Sequence, residues 1–280
     1  MIPTLARCVL SADAFRTCFT HALASEHEEI MGLLIGELTV SEAGEDESHI
    51  HSVCLFKRSD RQKDRVEISP EELAAATTEA ERLSGIADRD LRVLGWYHSH
   101  PHITVWPSHV DVNTQAAYQQ MDKNFVGLIF SCFHTEPNKA NRLQVICFQA
   151  VPEPSYLSST GSGKFVSREV PLQVVSPNGL TASFSDSLSL LASVMVEEER
   201  DLYSPANQSP ETVEEIMNAI HNGSVFTKSM TGIAENLCIP LIRVLEAQLG
   251  RNHQRMLELN RLLDSPESGG QLLDMSDVIQ

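Results

Sequence analysis

Two histidines and an aspartate are spaced in this chain like the ligands of one metal ion. His98 and His100 follow the apolar, β-favouring segment 91–96, and residues two apart on a strand project from the same face. Asp111 stands in the first turn of a predicted helix that follows Ser108, so its carboxylate would enter the site from a second element. Two imidazole nitrogens and one carboxylate oxygen, with the fourth tetrahedral position open to water, are the ligand set expected of catalytic zinc.

Parts of this pattern also have purely structural interpretations. Ser108-x-x-Asp111 matches a capping box, in which both side chains only accept hydrogen bonds from N–H groups at the helix start. A His-x-His pair on a strand is more often a surface or core pair than a pair of ligands. The combination of these residues with Pro101 at fixed positions favours the metal site.

A hydrolytic zinc site also needs a base that takes a proton from the attacking water. The acidic pair Glu28 and Glu29 runs directly into a second apolar segment, 30–38, which we predict to be a strand. A carboxylate at the mouth of such a strand is the right kind of group for general base catalysis. The pair could equally be a solvated strand entry, and spacing alone does not decide between these interpretations or between the two residues.

The complete pattern resembles the signature of the JAMM (MPN-plus) metalloproteases, which remove ubiquitin or ubiquitin-like proteins from isopeptide bonds. The residues that carry the resemblance are Glu29, Gly32, His98, His100, Pro101, Ser108 and Asp111. The resemblance implies that His98, His100 and Asp111 bind one catalytic Zn²⁺. It implies that Glu29, which has Gly32 at the family's offset, is the general base and then acid, and that Ser108 stabilises the oxyanion.

Further stretches extend the resemblance over most of the chain, namely 64–70, 95–112, 125–131 and 221–228. They are similar to the lysine-63-specific members of the family. The resemblance implies an α+β fold, the MPN/JAMM (cytidine-deaminase-like) domain, with a mixed sheet flanked by helices. It also implies a catalytic subunit that cleaves polyubiquitin within a higher-order hetero-oligomer. An inactive MPN-minus partner would pair with it through the MPN domain and the C-terminal helices, and we expect the isolated subunit to be weakly active.

The remaining elements follow from periodicity and capping signals. We predict strands over 53–56, 126–133, 143–150 and 165–175, and helices over 11–25, 70–85, 185–202 and 211–221, the last closed by Asn222-Gly223. We predict a catalytic domain over 1–175, a helical assembly region over 176–264 and a flexible tail over 265–280. Segment 152–163 is predicted to be a flexible loop.

The last helix carries an apolar stripe with heptad spacing. Its members are Ile242, Leu245, Leu249, Asn252, Met256, Leu259 and Leu263. Such a stripe packs against another helix, either in the same chain or in a partner.

Composition limits the other possibilities. With 280 residues and 42% hydrophobic content the chain can bury a core of one or two domains, and its net charge of −17 argues against nucleic acid as a direct partner. The basic stretch 57–65 is interpreted as a solvated loop, or alternatively as a partner contact. No uninterrupted apolar segment is long enough to span a membrane.

Six cysteines without a C-x-x-C pair fit a reducing compartment, cytoplasmic and nuclear. Cys132 with His134 could be a second metal site, but a buried thiol beside a loop histidine is the simpler interpretation.

Two other functions compete with the isopeptidase. A non-catalytic MPN scaffold would have the fold but lack the ligands, whereas this chain has all of them. A zinc amidase acting on small molecules is harder to exclude by motif. A nucleobase deaminase is disfavoured, because it needs H-x-E with a distant P-C-x-x-C, and the chain has no such cysteine pair.

Overall fold

The fold is built around one mixed β-sheet. A computed structural model of the chain describes residues 5–57, 68–133, 143–153, 164–175, 182–203 and 212–263. The strands are β1 (Arg7–Ser11), β2 (Met31–Val40), β3 (Asp46–Leu55), β4 (Arg92–Pro101), β5 (Val126–Cys132), β6 (Gln144–Pro152), β7 (Phe165–Val170) and β8 (Leu172–Val175). The α-helices are α1 (Ala12–Ala24), α2 (Pro70–Ala87), α3 (His109–Met121), α4 (Ala182–Tyr203), α5 (Val213–Ile233) and α6 (Ile239–Leu263), with a π-helix over Ala234–Cys238.

The eight strands follow the order β7-β6-β5-β4-β2-β3-β1-β8. Strand β4 pairs with β2 in the antiparallel and with β5 in the parallel direction, so it lies at the centre of the sheet. Both faces of β4 are covered, since Tyr97 contacts His21 of α1 while Trp96 contacts Tyr118 of α3. A mixed sheet with helices on both faces confirms the predicted α+β class and leaves β4 buried along most of its length.

The predicted single strand 165–175 is wrong. Pro171 divides it into β7, which pairs with β6 at one edge of the sheet, and β8, which pairs with β1 at the other edge. Proline cannot donate a ladder hydrogen bond, and its carbonyl instead accepts from the Cys8 N–H at 2.8 Å. Because one residue connects the two edge strands, the sheet must curl until its edges are neighbours. The hydrogen bond from Leu5 N–H to Gln149 Oε1, 3.2 Å long, connects the segment before β1 with β6, and these two strands are the neighbours of the edge strands.

Three other elements differ from their predicted bounds. Strand β1 was not predicted, and β3 begins at Asp46 rather than at residue 53. The first half of β3 is polar in sequence although Glu47 and Ser48 are buried, so the apolar pattern does not mark it as a strand. The helix predicted to end at Asn222-Gly223 continues as α5 to Ile233. Glycine in a helix costs about 1 kcal/mol. Packing offsets that cost, since Phe226 of α5 stacks on Tyr203 of α4 with ring centroids 4.5 Å apart.

The starts of α1 and α2, by contrast, agree closely with the capping signals, whereas α4 begins at Ala182, three residues before its predicted start at 185. Ser69 caps α2 in a complete capping box with Glu72, and Pro70 occupies the first turn. Ser11 caps α1 through a 3.2 Å hydrogen bond from the Ala14 N–H. These short-range signals work because both partners lie within four residues of each other.

The chain forms two compact units, residues 1–233 and 234–280. In the second unit, α6 confirms the predicted last helix, and none of its side chains is buried. Leu249 and Leu263 of the apolar stripe are 71% and 77% exposed. Among the described helices, none is long and apolar enough to cross a bilayer.

Some predictions concern residues that the structure does not describe. Most of the basic stretch 57–65, most of the loop 152–163, His134 and the tail 265–280 lie outside the described residues.

Candidate metal centre

His98, His100 and Asp111 converge at the carboxyl end of β4. The Nε2 atoms of the two imidazoles are 3.2 Å apart. Asp111 Oδ1 lies 3.5 Å from His98 Nε2, and Asp111 Oδ2 lies 3.5 Å from His100 Nε2. All three residues are buried, and one ligand atom from each lies within 4.8 Å of the others. The side chains that the sequence predicted as ligands therefore face one common centre.

Asp111 reaches this centre because the helix carrying it starts in a fixed way. Ser108 is the N-cap of α3, its Oγ accepts from the Asp111 N–H at 3.2 Å, and its own N–H donates to Asp111 Oδ2 at 2.6 Å. The capping box, which the sequence offered as an alternative to a metal site, is thus present, and the Asp111 carboxylate also approaches both histidines. The box orients the carboxylate toward the imidazoles, so the two interpretations describe one arrangement.

The electrostatics of the cluster couple its three members. Burial lowers the pKa of His98, although the Asp111 carboxylate acts in the opposite direction. Burial also acts to lower the pKa of His100, but hydrogen bonds to Asp111 and to the Thr104 carbonyl outweigh it and raise the net pKa. Burial alone would raise the pKa of Asp111, yet hydrogen bonds from both imidazoles hold it well below its usual range. The cluster therefore favours an anionic carboxylate between two nitrogen ligands.

Glu29 is the acidic residue that acts on this cluster. It is half-buried in the segment between α1 and β2, and its negative charge contributes to raising the pKa of His100. The next residue, Ile30, is hydrogen-bonded to the backbone of β4 at Ser99. Glu29, the residue that the resemblance implied, therefore stays the candidate base.

Several residues around the centre were missed by the sequence reasoning. The Thr104 carbonyl lies 2.7 Å from His100 Nδ1. The indole of Trp96 stacks on His98 with centroids 4.6 Å apart, and Trp96 Nε1–H donates to Gln115 at 2.7 Å. The spacing held a usable signal, because Trp96 precedes His98 by two residues on the same strand face and Gln115 follows Asp111 by four on the same helix face.

The donor set fits a divalent ion of intermediate softness such as zinc. Two imidazole nitrogens 3.2 Å apart must either share one proton or direct lone pairs at a cation. A carboxylate oxygen close to each nitrogen completes a three-ligand set of the kind that leaves one position open. The residues therefore fit the metal that the sequence predicted.

Comparisons with known proteins agree with the fold. The family model described as JAB1/Mov34/MPN/PAD-1 ubiquitin protease matches residues 3–124, and the model of the BRCC36 C-terminal helical domain matches residues 184–264. The matches define the class of protein as a JAB/MPN domain followed by a BRCC36-type helical domain.

Curated relatives narrow the class further. The chain is 48% identical over 251 residues to the Lys-63-specific deubiquitinase BRCC36 of Xenopus tropicalis, covering 89% of this chain and 92% of that protein. Identity to the protein of the same name is 45% in Rattus norvegicus, covering 90% and 91% of the two chains. It is 42% in Homo sapiens, covering 88% and 90%. This chain belongs to the BRCC36 family, and the predicted resemblance is confirmed.

Proposed function

We propose that this chain is a zinc-dependent deubiquitinase that hydrolyses isopeptide bonds in polyubiquitin, with lysine-63-linked chains as its substrate. The observation that carries the proposal is the convergence of His98, His100 and Asp111 on one centre on which the charge of Glu29 acts. Membership of a family whose relatives are named Lys-63-specific deubiquitinases supports both the activity and the linkage.

The chain's own groups divide the work as follows. His98, His100 and Asp111 would hold the zinc, which when bound supplies a Lewis acid and a water of lowered pKa. Glu29 accepts a proton from the water that adds to the isopeptide carbonyl carbon, and passes it to the lysine amine as the C–N bond breaks. The Ser108 hydroxyl accepts from the Asp111 N–H and keeps its hydrogen to donate to the developing oxyanion.

The decisive experiment compares Glu29→Gln with its neighbour variant Glu28→Gln. Glu29→Gln should bind zinc like the wild type and lose cleavage of lysine-63-linked di-ubiquitin, since a general base contributes about 10²–10⁴ in rate. Glu28→Gln is the matched control and should cleave normally. Normal cleavage by Glu29→Gln would remove Glu29 from the mechanism, and a wild-type chain that binds no zinc would favour the scaffold.

Linkage and substrate class need their own measurement. The purified chain should be assayed with di-ubiquitins of each linkage and with simple amides, with and without a chelator. Preference for the lysine-63 linkage that disappears with the chelator supports the proposal. Equal turnover of simple amides would favour a small-molecule amidase.

We further propose that the chain works as the catalytic subunit of a larger assembly in the cytoplasm and nucleus. Six free thiols suit a reducing compartment. The exposed apolar stripe of α6 suits a partner helix from an inactive MPN-minus subunit, and the basic stretch 57–65 is a second candidate contact. Leu249→Glu with Met256→Glu should abolish co-purification of that subunit and leave zinc binding unchanged. Full turnover by a verified monomer would contradict the need for a partner.

A further inference from the structure

The two histidines of the centre are held in different ways. His100 is oriented by a hydrogen bond, since its Nδ1 lies 2.7 Å from the carbonyl oxygen of Thr104. His98 Nδ1 is buried and has no hydrogen-bond partner among the residues that the structure describes. Metal-binding histidines usually donate their second N–H to a carboxylate or carbonyl, which fixes the ring orientation. His98 must therefore be oriented by another contact.

That contact is the indole of Trp96. The two rings are stacked, with centroids 4.6 Å apart and an interplanar angle of 16°. Trp96 and His98 are two residues apart and project from the same face of β4, and each side chain is about 1% exposed. A face-to-face contact of this kind resists rotation of the imidazole about its Cβ–Cγ bond, and aromatic pairs contribute about 0.5–1.5 kcal/mol beyond the area they bury.

The indole is in turn fixed to the helix that carries the third ligand. Trp96 Nε1–H donates to Gln115 Oε1 at 2.7 Å, and Gln115 lies one turn after Asp111 on α3. The Gln115 amide nitrogen donates to the Phe125 carbonyl at 2.7 Å and to Gln119 Oε1 at 3.0 Å. Gln115 is fully buried, so these bonds have no competition from solvent.

Two further residues lie against the indole. Gly127 of β5 is close to it, since a Cβ atom added at this position would lie only 3.0 Å from Trp96 Nε1. Tyr118 meets the indole edge-on at 5.8 Å. These contacts restrict the indole, and the His98 ring lies nearly parallel to it.

We infer that Trp96 and Gln115 are positioning residues for the metal ligand His98, with Gln115 setting the distance between β4 and α3 and Trp96 setting the plane of the imidazole. The inference rests on the proposed zinc site, but it concerns metal affinity rather than turnover. Changing residues that orient a metal ligand typically weakens metal binding by about 10- to 100-fold.

The test measures zinc affinity of the full chain by competition with a chromogenic chelator. Trp96→Leu removes the flat ring and should weaken zinc binding by about 10- to 100-fold. Gln115→Met removes the hydrogen bonds at similar length and should weaken it by about tenfold. Trp96→Phe keeps a ring for stacking without the N–H donor and should recover part of the loss.

Phe130→Leu is the matched control. Phe130 is fully buried in the same sheet but pairs with Ser99, whose side chain projects from the face opposite the ligands. The zinc affinity of Phe130→Leu should equal that of the wild type, and the visible spectrum of its Co²⁺ form should be unchanged. Trp96→Leu should alter that spectrum.

Three outcomes would overturn the inference. The first is a wild-type zinc affinity in Trp96→Leu. If that variant does not fold, a wild-type zinc affinity in both Gln115→Met and Trp96→Phe is the outcome that contradicts the inference. An equal loss in Phe130→Leu would do so too, because general loosening of the core would then suffice. A wild-type chain that binds no zinc would instead defeat the proposed function itself.

Discussion

Ser99 and Ile30 exchange two hydrogen bonds across adjacent segments. The Ile30 N–H donates to Ser99 Oγ at 3.0 Å, and the Ser99 N–H donates to the Ile30 carbonyl at 3.0 Å. Ser99 is fully buried and stands between His98 and His100 in the sequence, and Ile30 directly follows Glu29. This pair therefore fixes the backbone that carries the proposed base to the strand that carries two proposed ligands.

We expect Ser99→Ala to separate base positioning from metal binding. Loss of the hydroxyl leaves a buried N–H without its acceptor, which costs about 1–3 kcal/mol of stability. It should also displace Glu29 and lower kcat/KM on di-ubiquitin by about tenfold to a hundredfold, with zinc affinity retained. The matched control is Ser48→Ala, because the Ser48 hydroxyl is buried without a partner among the described residues. Equal activity of the two variants would argue against the positioning role.

Zinc should stabilise the folded chain through Asp111. Zinc at about a thousandfold above its Kd raises the free energy of unfolding by about 4 kcal/mol. Asp111→Asn keeps an oxygen that can accept the Ser108 N–H but loses the anionic ligand, so we expect the zinc-dependent rise in Tm to disappear. Asp122→Asn, at the C-cap of the same helix, should keep that rise. Thermal unfolding with and without zinc measures this rise in Tm. A wild-type rise in Asp111→Asn would contradict the assignment of Asp111 as a ligand.

Ser108 has a capping role and a proposed catalytic role, which Ser108→Gly should distinguish. Glycine is a tolerable N-cap that costs only a few tenths of a kcal/mol. The missing hydroxyl should nevertheless lower kcat by about 10²–10³, the effect of losing one oxyanion donor. Ser69→Gly in the capping box of α2 is the control, with the same change in unfolding free energy and no change in kcat. If both variants keep wild-type kcat, Ser108 is only a cap.

Thiol labelling should report the burial of the cysteines. Burial raises the pKa of Cys54 to about 12, with the charge of Glu79 adding to it, and burial raises the pKa of Cys132 to about 11. A raised pKa means that the thiol stays protonated and unreactive at about pH 8, since only the thiolate attacks. We expect one fast-reacting thiol per native chain, the half-buried Cys238, and six in denaturant. Cys238→Ser should abolish the fast phase, whereas two or more fast thiols in the native wild type would contradict this burial.

Local signals in the sequence predicted which side chains converge at the candidate centre and where α1 and α2 start. The ligand pair on β4 follows from two-residue alternation, and the caps Ser69 and Ser108 act within one turn of their partners. Such information is carried by neighbours in the chain, so it does not depend on the rest of the fold. The predicted domain boundary at residue 175 stays a prediction.

What the sequence could not predict depends on contacts between distant residues. The continuation of α5 through Gly223 depends on a ring of α4, and the polar half of β3 becomes a strand only because β1 and β2 pair with it. The orientation of His98 by Trp96 and Gln115 likewise requires α3 to lie against β4. Spacing indicates which side chains can share a face, but it does not indicate which neighbour covers that face.

The break at Pro171 has a consequence for how the chain acquires its fold during synthesis. Residues 165–175 supply the outermost strand on both sides of the sheet, so a nascent chain that ends before them leaves the outer sides of β6 and β1 unpaired at once. Strand β4, which carries the two histidines, already ends at Pro101. Its sheet nevertheless stays prone to edge-to-edge association with other chains until residues 165–175 have left the ribosome. A truncation at residue 160 should therefore aggregate rather than yield a smaller working enzyme.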